Sequence, residues 1–251
     1  MIEKKIHYCW FGCAEKPKSV LKCIDSWKKF LPEYEIIEWN EFNFDLSCSQ
    51  YCKEAYDRRK WAFVTDYARL YVVYHHGGIY FDTDVEVIQS FDKIIDQEYF
   101  LGMEDTGRIA TGLGFGAKKN SPVIKAMLDE YTDLHFINSD GTENKTVCPY
   151  YNTKAIETLG VTLGEKKVSW MGGTIYPAEY FSPINLNTSV LKITKNTYSI
   201  HHYSNSWMTP SEKFKKKVFR PINVYILRPT VGFIKKIFHI EGSIWDVWKS
   251  K

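Results

Sequence analysis

Apolar and polar positions along this chain switch between a helical and an extended period, and the switches come in strand–helix pairs. Residues 5–11 form a short apolar run closed by Gly12, which predicts a buried strand. From Pro17 to Phe30 the residues Val20, Ile24, Trp27 and Phe30 fall near one face of a helix that Pro32 stops. Tyr34 to Trp39 reads as a second strand, and this spacing suggests a parallel crossover unit. Residues 62–76 carry the clearest helical stripe, made by Phe63, Tyr67, Leu70, Tyr71 and Tyr74, with Gly77-Gly78 as its stop. His75 and His76 occupy its last turn, where the helix dipole favours positive charge. The run Gly77-Gly78-Ile79-Tyr80-Phe81-Asp82-Thr83-Asp84-Val85 is expected to be one strand, with Asp82 and Asp84 on one face and Phe81, Thr83 and Val85 on the other. Further strands are predicted at 99–103, 112–117, 174–176 and 197–203, and helices at 122–134 and 152–160.

This alternation argues for an α/β domain, in which ligands gather beyond the carboxyl ends of the strands at a topological switch. Asp82 and Asp84 are expected at such an end, and so is Trp10 after the first strand. The Gly112-x-Gly114-x-Gly116 run invites comparison with a phosphate loop, but no Lys-Ser/Thr follows and the alternation fits a strand.

With 251 residues, 44% of them hydrophobic, the chain can bury a full core in one domain, or in one domain plus an appendage. The net charge of +3 hides an asymmetry: residues 212–251 hold ten Lys/Arg against three Asp/Glu, or +7, leaving 3 − 7 = −4 for residues 1–211. We therefore expect a mildly acidic body over 1–211 and a basic, helical appendage over 212–251. The amino-terminal apolar run is too short for a signal peptide, and no apolar segment reaches the roughly 18 residues of a membrane span. A cytoplasmic setting is expected, with the six cysteines as thiols; Cys9, Cys13, Cys48 and Cys52 lack the further Cys or His spacing of a zinc site.

Two carboxylates side by side call for a cation, a proton or an exposed rim. Mg²⁺ or Mn²⁺ is the natural relief, because these ions prefer carboxylate oxygen and complete their shells with substrate phosphates and water, so the pair reads as a diphosphate holder. Asp66 and Arg69 are neighbours on the helix leading into the acidic run, where Arg69 can neutralise negative charge and Asp66 can accept sugar or ribose hydroxyls. Near the end of the body, Ser199-Ile200-His201-His202-Tyr203-Ser204-Asn205-Ser206-Trp207 offers His201 or His202 to complete a metal site with Asp84. A two-carboxylate glycosidase is disfavoured, since Asp82 and Asp84 on one strand face would stand about 6–7 Å apart at Cα and point together rather than flank a sugar ring.

Thr65-Asp66-Tyr67-Ala68-Arg69 followed by Gly77-Gly78-Ile79-Tyr80-Phe81-Asp82-Thr83-Asp84-Val85 resembles the DXD sugar-transferase family. That family includes capsular polysaccharide transferases, Golgi α-mannosyltransferases and, more distantly, the glucosylating domains of clostridial toxins. Ile6-His7-Tyr8-Cys9-Trp10-Phe11-Gly12 resembles its opening strand and His201-His202-Tyr203-Ser204-Asn205-Ser206-Trp207 its closing element, so the resemblance brackets residues 5–208. It implies a GT-A type, Rossmann-like nucleotide-sugar-binding domain, a divalent metal (Mn²⁺ or Mg²⁺) and transfer with retention. It also implies that Trp10 stacks on the base, that Asp66 and Arg69 hold the donor sugar and phosphate, and that Asp82 touches ribose, sugar or metal-bound water. Asp84 would bind the metal directly, Ser206 and Trp207 would cover the diphosphate, and Tyr80 would join the substrate contacts. Where the toxins carry an acidic residue in the closing element this chain has histidine, which leaves its metal ligand open between His201 and His202.

The expected function is transfer of a hexose or N-acetylhexosamine from a nucleotide-diphosphate sugar, a UDP-sugar by preference, to a glycan acceptor in capsular or surface polysaccharide synthesis. A metal-dependent phospho- or nucleotidyl-transferase and a non-catalytic sugar-nucleotide or glycan binder are the alternatives. The tail mixes lysines with Phe, Ile and Trp, which suits an anionic membrane surface, and a lipid-linked acceptor, better than nucleic acid. The expected location is thus cytoplasmic, peripheral at the inner face of the plasma membrane.

Overall fold

The computed structural model describes residues 1–186 and 188–204. Ser206, Trp207 and the basic segment 212–251 lie outside the described residues. In chain order the strands are β1 Lys5–Cys9, β2 Glu35–Trp39, β3 Gly78–Tyr80, β4 Val85–Val87, β5 Tyr99–Gly102, β6 Phe115–Ala117, β7 Val168–Trp170, β8 Gly173–Tyr176 and β9 Ser199–His201. The helices are α1 Lys18–Phe30, α2 Gln50–Asp57, α3 Trp61–His76, α4 Pro122–Asp129 and α5 Cys148–Thr158.

A seven-stranded sheet runs in the order β2-β1-β3-β6-β5-β8-β7, and β4 pairs with β9 apart from it. β1 lies parallel to both β2 and β3, with Ile6 opposite Ile36 and Ile79. β6 is antiparallel to β3 and β5, and β8 is again parallel to β5, so β1, β3, β5 and β8 end at one edge of the sheet. The chain leaves β1 towards β2 on one side and returns through α2 and α3 to β3 on the other. That reversal between β1 and β3 is a topological switch point, where open α/β sheets form ligand crevices. The expected α/β class is the one observed.

Side chains leaving the sheet alternately build two cores. Ile6, Tyr8, Ile79, Phe81 and Phe100 join Val20, Ile24 and Trp27 of α1 on one face. Cys9, Tyr80, Leu101, Phe115 and Ile175 join α2 to α5 on the other. Trp27 is fully buried against Phe81, and its indole N–H donates to Val85 O at 2.7 Å, which ties α1 to the chain just beyond Asp84.

α3 stops because Gly77 takes φ +66° and turns its N–H back to Val73 O at 2.9 Å. The Gly77 carbonyl accepts from Nε2 of buried His7 at 2.7 Å, and Trp39 Nε1 donates to the other ring nitrogen at 3.1 Å. Burial pushes His7 down to about 4, so the ring is held neutral between those partners.

Several sequence expectations need correcting. The acidic run is not one strand: β3 ends at Tyr80, and residues 81–84 turn, with Val85 N donating to Asp82 O at 3.0 Å. Asp-rich segments make such turns because their side chains compete with a ladder for backbone donors. The glycine run 112–116 is likewise divided, into a 3₁₀ turn over Thr111–Leu113 and the strand β6. α4 stops at Asp129 and α5 begins at Cys148, each several residues before its expected bound, and α2 and β7 were not anticipated.

Candidate active site

The turn after β3 and the end of β9 meet at the carboxyl edge of the sheet. β9 pairs antiparallel with β4 so that His201 lies opposite Val85, one residue beyond Asp84. His201 Nε2 stands 3.0 Å from Asp84 Oδ1. The Ser204 N–H donates to Asp84 Oδ2 at 2.8 Å, and the His202 N–H donates to the Asp84 carbonyl at 3.0 Å. Ligand atoms of Asp82, Asp84 and His201 all lie within 4.8 Å of one another, and among the described residues no other group of three His, Cys, Asp or Glu side chains converges in this way.

Asp82 is held from the interior. Tyr80 OH donates to its Oδ1 at 3.0 Å, and Arg69 Nη2 stands 3.2 Å from the same oxygen. Its own N–H meets Gly112 O at 3.4 Å, and a side chain at Gly112 would run into Asp82 Oδ2. Arg69 is 3% exposed. It donates from Nε to Thr65 O at 2.9 Å and from Nη2 to Thr65 Oγ1 at 3.0 Å, pairs with Asp66 Oδ1 at 3.1 Å, and points Nη1 at Cys148 Sγ at 3.8 Å. Behind it, Asn152 Nδ2 donates to Thr111 Oγ1 at 3.0 Å, fixing the 3₁₀ turn that carries Gly112.

The electrostatics divide the two carboxylates. Burial raises Asp82, and the Asp84 charge adds to that, while Arg69 opposes it. Burial also acts on Asp84, but His201 and the Ser204 amide outweigh it and hold this group well below the usual carboxylate range. His201 is raised in turn, against the cost of its burial, by Asp84 and Asp82. Burial pushes Asp66 up to about 6, with Arg69 pulling the other way.

A small divalent cation fits this donor set. The 3.0 Å separation of His201 Nε2 from Asp84 Oδ1 is what two neighbouring ligands of one ion show at about 2.1 Å each. The second ring nitrogen, Nδ1, is buried without a hydrogen-bond partner among the described residues, and the ring packs on Tyr203. The mixture of carboxylate oxygen and imidazole suits Mn²⁺ better than Mg²⁺.

Of the residues singled out in the sequence, Asp66, Arg69, Asp82, Asp84 and His201 come together. His202 does not: its Nε2 turns outward to Glu86 Oε2 at 2.9 Å, because neighbours on an extended segment face opposite ways. Tyr80 is corrected from a substrate contact to a buried support, 1% exposed, with its hydroxyl spent on Asp82. Arg69 is likewise buried, with its guanidinium paired to Asp82 and Asp66. Trp10 stands where expected, beyond β1, its N–H donating to Ala14 O at 2.7 Å and Lys16 Nζ 5.7 Å from its ring centre. Cys148, Thr111, Asn152 and Ser204 were missed because only tertiary packing brings them to the site.

Comparison with known proteins points the same way as the geometry. Residues 17–101 match the family model described as glycosyltransferase sugar-binding region containing DXD motif. The match spans Asp66, Arg69, Tyr80, Asp82 and Asp84, and the DXD of the glycosyltransferase signature falls on Asp82-Thr83-Asp84. Among solved structures the fold is similar to PaToxG glycosyltransferase, with a TM-score of 0.51 and 20% identity over 63% of this chain and 70% of that one. A glycosyltransferase involved in the glycosylation of the major capsid of PBCV-1 aligns at a TM-score of 0.43 and 13% identity over 83% of this chain and 96% of that one. No curated protein matches the chain.

Proposed function

We propose that this protein is a metal-dependent glycosyltransferase that moves a hexosyl or N-acetylhexosaminyl group from a nucleotide-diphosphate sugar, a UDP-sugar by preference, to a glycan hydroxyl with retention at the anomeric carbon. The observation that carries this reading is the convergence of Asp82, Asp84 and His201 within 4.8 Å at the switch between β1 and β3, inside a segment matched to a DXD sugar-binding region. Asp84 and His201 would hold Mn²⁺ or Mg²⁺ with Asp82 beside them, and the bound ion would supply positive charge for the departing diphosphate. Trp10, past the neighbouring strand, offers an aromatic face to the base. Arg69 opposes the upward push of burial on Asp82 and would hold it in place beside the ligand. The buried thiol of Cys148 is spent on Arg69, and front-face attack by the acceptor hydroxyl is the step we propose.

The expected setting is capsular or surface polysaccharide synthesis, with a lipid-linked acceptor and the basic segment 212–251 on an anionic membrane at the inner face of the plasma membrane. Among the described residues no helix is long and apolar enough to cross a membrane. Hydrolysis of a panel of UDP- and GDP-sugars, with Mn²⁺ and after chelation, tests the central reading. Metal-dependent release of free sugar from one donor is expected. Release of pyrophosphate or phosphate transfer would instead identify a phospho- or nucleotidyl-transferase, and donor binding without turnover would identify a sugar-nucleotide binder.

A further inference from the structure

The strand order sets out a line along which an extended ligand must lie. A nucleotide sugar is a rod of base, ribose, diphosphate and sugar. Trp10 stands past β1 and the acidic turn past its neighbour β3, so a base at the first and a diphosphate at the second direct the sugar onward, over β6 towards β5. With strands about 4.8 Å apart, the end of β5 is about 10 Å beyond that of β3, a reach that suits the sugar of such a ligand.

Just past β5 the chain forms a tight hairpin. Met103 bridges Ile109, Glu104 N donates to Arg108 O at 2.9 Å, and Gly107 N donates to Glu104 O at 2.9 Å. Asp105 anchors it by accepting from Leu186 N at 2.6 Å. The hairpin runs directly into the 3₁₀ turn whose Gly112 carbonyl meets Asp82 N. Glu104 is half-buried at its base. Its Oε1 accepts from Thr106 Oγ1 at 2.6 Å, and its Oε2 has no hydrogen-bond partner among the described residues. Ala110 N donates to Gly102 O at 3.0 Å just below the hairpin, and two residues on the Gly112 carbonyl meets Asp82 N at 3.4 Å, so the base of the hairpin adjoins the acidic turn.

We propose that Glu104 is a sugar-binding residue, whose free carboxylate oxygen accepts hydrogen bonds from hydroxyls of the transferred sugar and thereby selects the donor's sugar. This rests on the nucleotide-sugar reading above. A half-buried carboxylate with one oxygen unspent suits a vicinal hydroxyl pair, since hydrogen bonds to an ionised acceptor are the stronger kind. A site built to bind a hydroxyl also discriminates strongly against analogues that lack or misplace it. Burial raises the Glu104 carboxyl, so sugar donors would favour its ionised form.

The test compares binding of UDP and GDP with that of UDP-glucose, UDP-galactose, UDP-N-acetylglucosamine and GDP-mannose, by calorimetry in Mn²⁺, for the full chain and for Glu104→Ala and Glu104→Gln, with thermal melts as a control for folding. For the preferred donor, Glu104→Ala should weaken the nucleotide sugar roughly tenfold or more while moving the free nucleoside diphosphate by less than about twofold. Glu104→Gln should fall between the two and narrow the ranking among sugars. If a folded Glu104→Ala binds the sugar form as the parent does, or loses nucleoside diphosphate and sugar form equally, the inference is overturned while the donor reading stands. If the parent binds neither nucleoside diphosphates nor their sugars, the donor reading itself fails and the inference goes with it. Should Glu104→Ala melt far below the parent, the Glu104→Gln ratio decides on the same terms.

Discussion

Asp82 and Asp84 are two residues apart, yet the protein treats them oppositely. Asp82 is gripped from within, by Tyr80 of β3 and Arg69 of α3, on elements that immediately precede it in the chain. Asp84 is gripped by His201 and Ser204, which arrive from the far end of the body. One half of the site is a local construction set on a rigid core. The other half exists only when β9 docks on β4. The site thus joins a locally built frame to a clamp brought in from far along the chain, and breaking each half should fail differently: the first in stability, the second in metal and donor affinity.

The largest effect is expected from the frame. Arg69→Met leaves Asp66 and Asp82 facing each other without their shared cation in a buried setting, and losing one partner of such an arrangement costs about 3–5 kcal/mol. The chemical-denaturation midpoint should fall accordingly, and activity should go with the fold. A variant as stable as the parent would mean that Asp66, already pushed up to about 6 by burial, takes a proton and absorbs the loss.

Breaking the clamp should leave the frame standing. Asp84→Asn keeps the volume and the Ser204 contact but removes the anionic ligand, so metal-dependent turnover should drop by about a hundredfold or more while the melting temperature moves little. Mn²⁺ titration followed by paramagnetic relaxation separates this from a folding defect. Near-normal turnover at saturating Mn²⁺ would remove Asp84 from the metal site.

The same division explains what was legible in the sequence. The helix over Trp61–His76, its glycine stop and the Asp66–Arg69 pairing follow from spacing alone, because contacts three or four residues apart are fixed by helix geometry. The parallel β1–β2 unit follows from its spacing too. What failed was the strand through Asp82 and Asp84: the period-2 pattern of Phe81, Thr83 and Val85 is also compatible with a turn whose apolar residues still point inwards, and Phe81 and Val85 are both fully buried. The choice between His201 and His202 needed the β4–β9 register, which no local pattern contains. Cys148, Thr111 and Asn152 carry no signal because their role is to fill and satisfy the space behind Arg69, and that space exists only after α3 and α5 pack.

The smallest effect sharpens the comparison most. Tyr80→Phe deletes a single hydroxyl from Asp82, keeps the ring in place against Phe115 and keeps the Arg69 guanidinium over its face. The lost bond is to a carboxylate, but Asp82 remains partly open to water and still has Arg69, so the expected cost to stability is only about 1 kcal/mol. Because Tyr80 is buried under Asp82 and does not face the ligand, its removal should loosen Asp82 alike for every donor: kcat/KM should fall roughly threefold to tenfold with the ranking among nucleotide sugars unchanged. Measuring the panel with this variant distinguishes a support from a contact. A change in donor ranking would restore Tyr80 to the substrate surface, and it would mean that the frame beneath Asp82 opens during the reaction.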